Sequence, residues 1–415
     1  MSHAAAALPR PGAWTSPWII LLVAFLLRAL WALAVPIEPI SDAVLYDAFA
    51  RSIASGQGYA FPDGQLTLYW PVGAPALYAA VYALFGPQHG ALLALNLLLG
   101  TAAVGLTGLL ARRVSGSVVV AALAAWLMAL WPGLIQYTTV LASELSFIVL
   151  LLLALNVLLA NRWPTWVRAV GFGLAICGAS FVRPVALPLI VLLPVALMLQ
   201  AGQRRAAVWI LLGTLLVALA TIGPWAARNQ RLTGQAVLIS ANGGANLWMG
   251  NNPQSEGGYM PLLPGAYANE VERDRFHGAL ARTYIAEHPG RYLQLCAQRF
   301  ITTYGRETIG VVWNQKGLER RWGSQVLTPL KALSSGYWLA VFALAWVGVA
   351  LTLRRQPGAL LSPWMLTAGL MLLVPILTVS QDRYHLPLAP FVALAGALAL
   401  NTFAEARARR RSPPP

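Results

Sequence analysis

Charged residues are scarce in this chain: they make up 10% of its 415 residues, whereas an average soluble domain carries about 25%. Hydrophobic residues, in contrast, make up 58% of the sequence. This balance excludes a soluble enzyme, a disordered chain and a nucleic-acid-binding module. It indicates an integral membrane protein.

Cysteine and lysine are also rare. The two cysteines, Cys177 and Cys296, are too few for a disulfide framework or a cysteine-based zinc site. Of the 29 basic residues, only Lys316 and Lys331 are lysines, so arginine supplies almost all of the positive charge. The sequence contains no Walker loop, dinucleotide fingerprint, CxxC pair or HExxH motif, which excludes the commonest nucleotide and metal sites.

Long apolar runs are the dominant feature of the sequence. A helix needs roughly 20 apolar residues to cross the ~30 Å hydrocarbon core of a bilayer, and runs of this kind predict about ten spans. A proline-interrupted apolar stretch at 71–85 is interpreted as a helix lying at the membrane interface. The predicted spans are Pro17–Val35, Ala91–Leu110, Val118–Leu134, Leu145–Ala160, Val167–Val182, Val185–Leu199, Ala206–Ile222, Tyr337–Leu353, Leu360–Val379 and Leu386–Thr402.

Arginine recurs in every second short connection between the spans, which marks those connections as cytoplasmic and predicts that both termini lie inside. Of the 14 acidic residues, only Glu405 falls on this side. The net charge of +15 therefore reflects membrane topology rather than a polyanionic partner. The arginines concerned are Arg112, Arg113, Arg162, Arg168, Arg204, Arg205, Arg354, Arg355, Arg407, Arg409, Arg410 and Arg411.

The predicted fold is an all-α polytopic membrane protein with a juxtamembrane helical loop and a larger α or α/β insertion on the external side. A soluble-looking helix is predicted near Asn269–Glu287, with Asn269 as its cap and Glu272 three residues on. The predicted domains are an N-terminal membrane domain (1–223) that includes a first external segment (36–90), an external domain (224–335), C-terminal spans (336–403) and a basic cytoplasmic tail (404–415).

The first external segment begins with a helix signal in which Ser41 is the expected cap and Asp42 lies in the first turn. At 100° per residue, Asp42 shares the apolar face of this helix with Tyr46, whereas Asp47 and Arg51 lie opposite and can form an exposed ion pair. A carboxylate on the membrane-proximal face is a candidate general base, and Tyr46 is a candidate contact for the sugar or the acceptor. The alternative is a favourable interaction with the helix N-terminus.

Three charged residues at or within the predicted spans are candidates for a role other than topology. A central arginine costs ~2.5–3.5 kcal/mol on the insertion scale, so Arg28 needs a structural partner or binds a ligand. Arg183 lies where the fifth and sixth spans meet and is a candidate phosphate ligand. Glu144 begins the fourth span, where it either satisfies a helix end or contributes to a binding site.

Further polar residues follow the seventh span and separate the last two spans. Asn229, Asn246 and Asn251 occur in amide-rich, glycine-rich stretches that can bind a sugar or simply form turns. Arg228 is a second candidate cation. Arg383 and Tyr384 lie between the last two predicted spans, at headgroup depth. There they can clamp a lipid phosphate or anchor the chain at the interface.

These external motifs occur in an order that resembles bacterial C-type (GT-C) membrane glycosyltransferases over most of the chain. That superfamily contains the protein O-mannosyltransferases and the aminoarabinose transferases that modify lipid A. The motifs are Ser41-Asp42 with Tyr46, Gly56-Gln57-Gly58-Tyr59, Tyr69-Trp70-Pro71-Val72-Gly73, Leu84-Phe85-Gly86, Ser143-Glu144, Arg183-Pro184, Pro224-Trp225, Arg228-Asn229, Gly250-Asn251 and Arg383-Tyr384 with Pro387.

The resemblance implies that a sugar moves from a polyprenyl-phosphate donor to an envelope lipid, glycan or protein, with inversion, outside the bacterial cytoplasmic membrane. Asp42 would be the base, and Arg183, Arg228 and Arg383 would stabilise the leaving phosphate. Two alternatives stay open: a polymerase or ligase of lipid-linked oligosaccharides, and a transporter or flippase of lipid-linked sugars.

The resemblance leaves the metal requirement open. The sequence has no adjacent acidic pair at Asp42, so the acidic partner of this residue is not defined. A divalent metal ion is an open possibility, with Glu144 and His385 as the candidate ligands.

Overall fold

The computed structural model describes residues 12–411, and these residues are nearly all helical; the ends of the predicted first and last domains, 1–11 and 412–415, lie outside the described residues. Within the described range the β structure is a single antiparallel bridge between Ala60 and Leu66. The helices are α1 (Pro17–Ala34), α2 (Asp42–Ala54), α3 (Gly73–Phe85), α4 (His89–Ser115), α5 (Val118–Ala129), α6 (Pro132–Gln136), α7 (Glu144–Leu158), α8 (Thr165–Val182), α9 (Leu189–Met198), α10 (Arg204–Thr233), α11 (Gly243–Gly250), α12 (Glu270–Glu287), α13 (Pro289–Tyr304), α14 (Ile309–Trp313), α15 (Gln315–Trp322), α16 (Leu327–Arg355), α17 (Pro363–Leu377) and α18 (Ala389–Arg411).

Each predicted span coincides with apolar helical structure, but the lengths differ. Among the described residues, six helices are long and apolar enough to cross a membrane, and the pair α5 and α6, bent by 56°, raises that number to seven. The remaining predicted spans contain α7, α9 with its preceding turn, and α17. Each of these has about 15 residues, fewer than the roughly 20 that a full crossing needs. Ten crossings therefore stay a prediction.

Two segments differ from the local expectation. The helix that contains the seventh span does not end before Pro224, because α10 continues through this proline to Thr233. The glycine-rich stretch that contains Asn246, for which turns are one expectation, forms helix α11 instead. Gly244 allows α11 to pack against α12, since a Cβ at this position would lie 2.1 Å from the carbonyl oxygen of Asp274.

Helix α12, in the segment predicted to be external, begins as the sequence predicts. Oδ1 of Asn269 accepts hydrogen bonds of 3.0 Å from the backbone N–H groups of Val271 and Glu272. The carboxylate of Glu272 in turn accepts from the N–H of Ala268 at 2.6 Å. Both side chains satisfy backbone donors that the first turn of a helix leaves without partners.

The buried Arg28 has a structural role at the break between α5 and α6. Its guanidinium donates to the carbonyl oxygens of Met128 and Ala129 at 3.2 and 3.3 Å, and to that of Ala24 at 3.0 Å. The first two carbonyls end α5, where the helical hydrogen-bond ladder stops. Of the two roles predicted for Arg28, the structure therefore shows the structural partner.

Two other buried arginines bond in the same way. Arg168 donates to the carbonyl oxygen of Leu158 at 2.7 and 3.2 Å, at the end of α7. Arg299 donates to the carbonyl oxygen of Gly250 at 2.6 Å, at the end of α11, and to that of Ile376 near the end of α17. These contacts tie the helix ends to neighbouring helices.

We expect Arg28→Leu to lower the thermal unfolding temperature of the detergent-solubilised protein. Each buried carbonyl left without a donor costs about 1–3 kcal/mol, and two carbonyls at the end of α5 lose theirs. The unfolding temperature of Arg28→Lys should lie between those of the wild type and Arg28→Leu, because an ammonium reaches fewer acceptors than the guanidinium fork. An unchanged unfolding temperature in Arg28→Leu together with lost activity would show instead that Arg28 acts on a ligand.

The predicted topology places 36–90 and 224–335 outside. In a chain in which Cys177 and Cys296 are replaced by alanine, single cysteines introduced at Asp63 and Glu272 should react with an impermeant thiol reagent in intact spheroplasts. A cysteine at Arg204 should react only after lysis, because its connection is predicted to be cytoplasmic. The reverse labelling pattern would overturn the topology.

Candidate active site

A cavity of about 420 Å³ lies where the first turns of α2, α7 and α11 meet the end of α17. The turn between α8 and α9 and the 3₁₀ turn Asp382–Leu388 complete its wall. The cavity brings together residues that are far apart in the sequence. The predicted site residues that line it are Asp42, Tyr46, Arg183, Asn246, Arg383 and Tyr384.

Asp42 and Arg383 meet directly in this cavity. Nη2 of Arg383 donates to Oδ2 of Asp42 at 2.6 Å, although the two residues are 341 positions apart. The side chain of Asp42 is 31% exposed and that of Arg383 is 10% exposed. The candidate base and the candidate phosphate ligand are therefore ion-paired with each other.

Ser41, which directly precedes α2 and Asp42, has an unusual backbone conformation. Its φ is 52° and its ψ is −131°, a combination that side-chain-bearing residues rarely adopt. The side-chain cap predicted for Ser41 is not formed. The residue instead turns the chain sharply from the end of α1 into the cavity wall, and the helix places Asp42 facing Arg383.

A second ion pair lies deeper in the same site. Nη2 of Arg183 is 2.6 Å from Oε1 of Glu144, whose side chain is fully buried. The Nε–H of Arg183 donates to Oγ of Ser143 at 3.0 Å. The nearest approach of Glu144 to Arg383 is 4.0 Å. The four charged groups thus form two pairs and sum to zero net charge.

Tyr46 lies one turn after Asp42 and is almost completely buried. Burial, reinforced by the nearby carboxylates of Asp42 and Glu144, raises the pKa of Tyr46 to about 12. The phenol therefore keeps its proton at neutral pH and can donate a hydrogen bond into the cavity. This is consistent with the contact to sugar or acceptor predicted for it.

Asp47 faces away from the cavity, as the helix periodicity predicts. It binds Arg51 at 2.8 Å, but its side chain is only 16% exposed because Tyr82 also donates to it and His89 lies 3.3 Å away. Burial alone would raise the pKa of Asp47, but the hydrogen bonds from Arg51 and Tyr82 outweigh this effect and hold the pKa below its usual value. The expectation of an exposed pair was wrong in this respect.

Aromatic rings and an amide hold the guanidinium of Arg383 in place. Its central carbon lies 4.6 Å from the ring centroid of Trp313 and 5.5 Å from that of Tyr384. Its Nε–H donates to Oε1 of Gln381 at 2.6 Å. Trp313 was not predicted, because its segment shows neither a motif nor a regular apolar period that would single it out.

His385 anchors the turn that carries Arg383. Its Nδ1 bonds the carbonyl oxygen of Thr303 at 2.8 Å, and its Nε2 lies 2.9 Å from Oε2 of Glu307. The indole N–H of Trp131 donates to the same carboxylate oxygen at 2.9 Å. The imidazole also stacks on Trp338 with centroids 4.0 Å apart. These buried contacts fix the turn against α13 and α16.

The candidate metal ligands mostly have other partners. Both ring nitrogens of His385 already bond other groups. Asp42 is ion-paired with Arg383, and Oε1 of Glu144 lies 2.6 Å from Arg183, whereas Oε2 of Glu144 is buried without a hydrogen-bond partner among the described residues. The described residues contain no group of three or more His, Cys, Asp and Glu side chains that could hold a metal.

Three further candidates lie outside the cavity, where they bond to the backbone. Arg228 donates to the carbonyl oxygen of Thr67 at 2.9 Å and so ties α10 to the segment between α2 and α3. Asn229 bonds the carbonyl oxygen of Val237 at 3.0 Å. Asn251 donates to the carbonyl oxygen of Thr378 at 3.1 Å and, like Asn229, is fully buried. These contacts give all three residues positions in the scaffold.

No protein-family model and no curated protein matches the sequence. The fold matches that of the oligosaccharyltransferase AglB from Archaeoglobus fulgidus in complex with an inhibitory peptide and a dolichol-phosphate, at 15% identity and a TM-score of 0.56. The match covers 93% of this chain and 50% of AglB, so the chain spans about half the length of that protein. A second match is ArnT from Cupriavidus metallidurans bound to undecaprenyl phosphate, at 14% identity and a TM-score of 0.48, covering 94% of this chain and 79% of ArnT.

The similarity to AglB extends over almost the whole chain and concerns the arrangement of its helices. AglB is an archaeal oligosaccharyltransferase. The resemblance that the sequence motifs indicate therefore has a counterpart in the fold, which this chain shares with AglB.

Proposed function

We propose that this chain is a membrane glycosyltransferase that moves a sugar from a polyprenyl-phosphate carrier to an envelope lipid, glycan or protein. The observation that carries this proposal is the 2.6 Å contact between Asp42 and Arg383 in the cavity. It brings a candidate base and a candidate phosphate ligand within one hydrogen bond of each other. The shared fold with AglB, which is complexed with a dolichol-phosphate, supports a lipid-phosphate donor.

The reaction follows from these groups. The acceptor hydroxyl oxygen attacks the anomeric carbon while the bond from that carbon to the phosphate oxygen breaks, which inverts the anomeric centre. The hydroxyl proton passes to the carboxylate of Asp42. The electron pair of the broken bond stays on the phosphate, whose growing charge Arg383 and Arg183 stabilise. No protonated side-chain acid is needed, because a phosphate is a good leaving group.

Binding of the donor must rearrange the ion pairs. Asp42 cannot act as an effective base while Arg383 holds its carboxylate. The phosphate of the donor is an anion of suitable geometry for the same guanidinium, so it can replace Asp42 as the partner of Arg383. The donor would thereby free the base at the moment when the sugar arrives. The buried Glu144 keeps Arg183 in position throughout.

The molecule that accepts the sugar can be found by comparing cells with and without the gene. Mass analysis of envelope glycolipids, glycans and proteins should show a glycosylated species that disappears with the gene. The species should return with the wild-type gene and stay absent with Asp42→Asn. Its return with Asp42→Asn would indicate a transporter or another function that does not need the base.

The Asp42→Asn variant should transfer sugar at least a hundredfold more slowly, since loss of a general base commonly costs ~10²–10⁴-fold. It should nevertheless bind a polyprenyl phosphate more tightly than the wild type, because Arg383 no longer has to leave a carboxylate. Both quantities can be measured on purified protein at matched abundance. Asp47→Asn is the matched control, and it should keep nearly the wild-type rate because Asp47 faces away from the cavity. Weaker lipid binding by Asp42→Asn would contradict the exchange of partners.

The Arg383→Ala variant should lose about 10²–10³-fold in turnover, the usual effect of removing one group that stabilises developing negative charge. Arg383→Lys should recover only part of this loss, because lysine keeps the charge but not the bidentate fork. Arg306→Ala serves as the control: the side chain of Arg306 is 63% exposed, and its Nε lies 4.0 Å from the carboxylate of Asp382. Wild-type kinetics in well-expressed Arg383→Ala would leave this residue only an anchoring role.

A further inference from the structure

A second and larger cavity, of about 920 Å³, opens at the other end of the helix bundle. It lies among the ends of α4, α7, α9, α16 and α18 and the start of α17. These are the ends that carry the arginine-bearing connections, so this cavity is predicted to face the cytoplasm. The proposed transfer reaction does not use it.

The three short apolar helices connect the two cavities. The active-site cavity is lined by residues at one end of each, namely Ser143 before α7, Pro188 before α9 and Thr378 after α17. The second cavity is lined by residues at the opposite ends, including Leu159 and Pro363. A helix of 15 residues is about 22 Å long, some 8 Å less than the hydrocarbon core. A shortfall of this size would leave an indentation at the membrane surface, which is where the predicted topology places the second cavity.

Two arginines give this cavity positive charge. Arg113 uses one Nη to bond the carbonyl oxygen of Leu159 at 3.4 Å, but its Nε is buried without a partner among the described residues. Arg355, in the last turn of α16, is exposed and also lines the cavity. Glu405 is the only acidic residue among those of the described chain that line it, and it accepts a hydrogen bond from Asn401.

Two further polar atoms in the wall are buried without partners. These are the hydroxyl oxygen of Ser362 and the amide oxygen of Asn401, and neither bonds another group of the described chain. A hydroxyl can donate to a phosphate oxygen, and an amide oxygen can accept from a ligand hydroxyl. The cavity wall thus offers both donors for a phosphate and an acceptor for an alcohol.

The remaining wall is apolar and includes Leu199, Leu351 and Leu398. Basic pockets between membrane helices on the cytoplasmic side commonly bind the headgroups of anionic lipids. The volume falls within the range of about 300–1,000 Å³ that is usual for ligand sites, and an apolar wall suits the first carbons of an acyl chain.

We propose that this second cavity binds a hydroxyl-bearing phosphate group, supplied by an anionic phospholipid of the facing leaflet. Arg113, Arg355 and Ser362 contact the phosphate, and Asn401 accepts from the hydroxyl of the headgroup. The bound headgroup fills the space above the short helices and stabilises the ends of α7, α9 and α17.

The test uses the full-length protein in detergent and phosphatidylglycerol as the probe, with binding measured by native mass spectrometry and by the thermal unfolding temperature. The Arg113→Gln/Arg355→Gln variant should bind this lipid at least about tenfold more weakly, since it loses the charge-assisted hydrogen bonds to the phosphate. The matched control is Arg112→Gln/Arg354→Gln. It removes the same charge from the same two helix ends, but neither of its residues lines the cavity.

A further variant, Ser362→Asp, keeps both arginines and puts a negative charge in the wall. It should also bind the lipid more weakly and should fold, because aspartate is a good residue at the start of a helix, and Ser362 precedes α17. If Arg113→Gln/Arg355→Gln does not fold, lipid binding by Ser362→Asp tests the proposal in its place. Equal lipid binding by the wild type and Ser362→Asp, or an equal loss in the Arg112→Gln/Arg354→Gln control, would overturn the proposal.

Inorganic phosphate and phosphatidylcholine distinguish the source of the ligand. Phosphatidylglycerol should raise the unfolding temperature of the wild type more than either of them at equal phosphate concentration. An equal rise with inorganic phosphate, lost in the cavity variants, would assign the site to free phosphate. An equal rise with phosphatidylcholine would contradict recognition of an anionic headgroup. None of these measurements involves sugar transfer, so they test the cavity separately from the proposed activity.

Discussion

Backbone carbonyls that end a helix inside an apolar bundle need hydrogen-bond donors, because no water is present there to supply them. In this protein buried arginines meet that need: Arg28 at the end of α5, Arg168 at the end of α7, and Arg299 at the ends of α11 and α17. The guanidinium suits this position because it presents several donors in a rigid fork. Arginine is thus a structural requirement of this fold as well as a determinant of its topology.

Helices that end inside a bundle can leave a cavity that polar side chains line. A bundle of full-length spans would fill the bilayer and place its polar residues only in the loops. Here α7 begins at Glu144, whose fully buried side chain lies 2.6 Å from Arg183 and 4.0 Å from Arg383. The active-site cavity therefore exists where helix ends meet, and the same helix ends bring its charged side chains into contact.

The sequence predicts the residues of the candidate site better than their contacts. Asp42 and Arg383 stand out locally, since each is a charge beside an apolar span or on an apolar helix face. Their contact could not be predicted, because 341 residues separate them and only the packing of the bundle brings them together. Arg228 is a candidate phosphate ligand in the sequence because of its charge, but in the structure it lies on α10 outside the cavity and donates to the carbonyl oxygen of Thr67. Trp313, whose ring supports Arg383, lies in a segment without a recognisable motif.

The two ion pairs of the cavity differ in how easily they can exchange partners. Glu144 is completely buried, so separating it from Arg183 would leave an unpaired charge in an apolar surrounding, at a large cost in free energy. Asp42 is 31% exposed, and water or the first turn of α2 can stabilise its carboxylate after Arg383 leaves. An incoming phosphate therefore meets one fixed arginine and one that can change its partner. Because the four side-chain charges cancel, adding a phosphate without this exchange would leave the anion next to an ionised carboxylate. In the proposed reaction, opening the Asp42–Arg383 pair turns Arg383 toward the phosphate and leaves the carboxylate of Asp42 free to accept a proton.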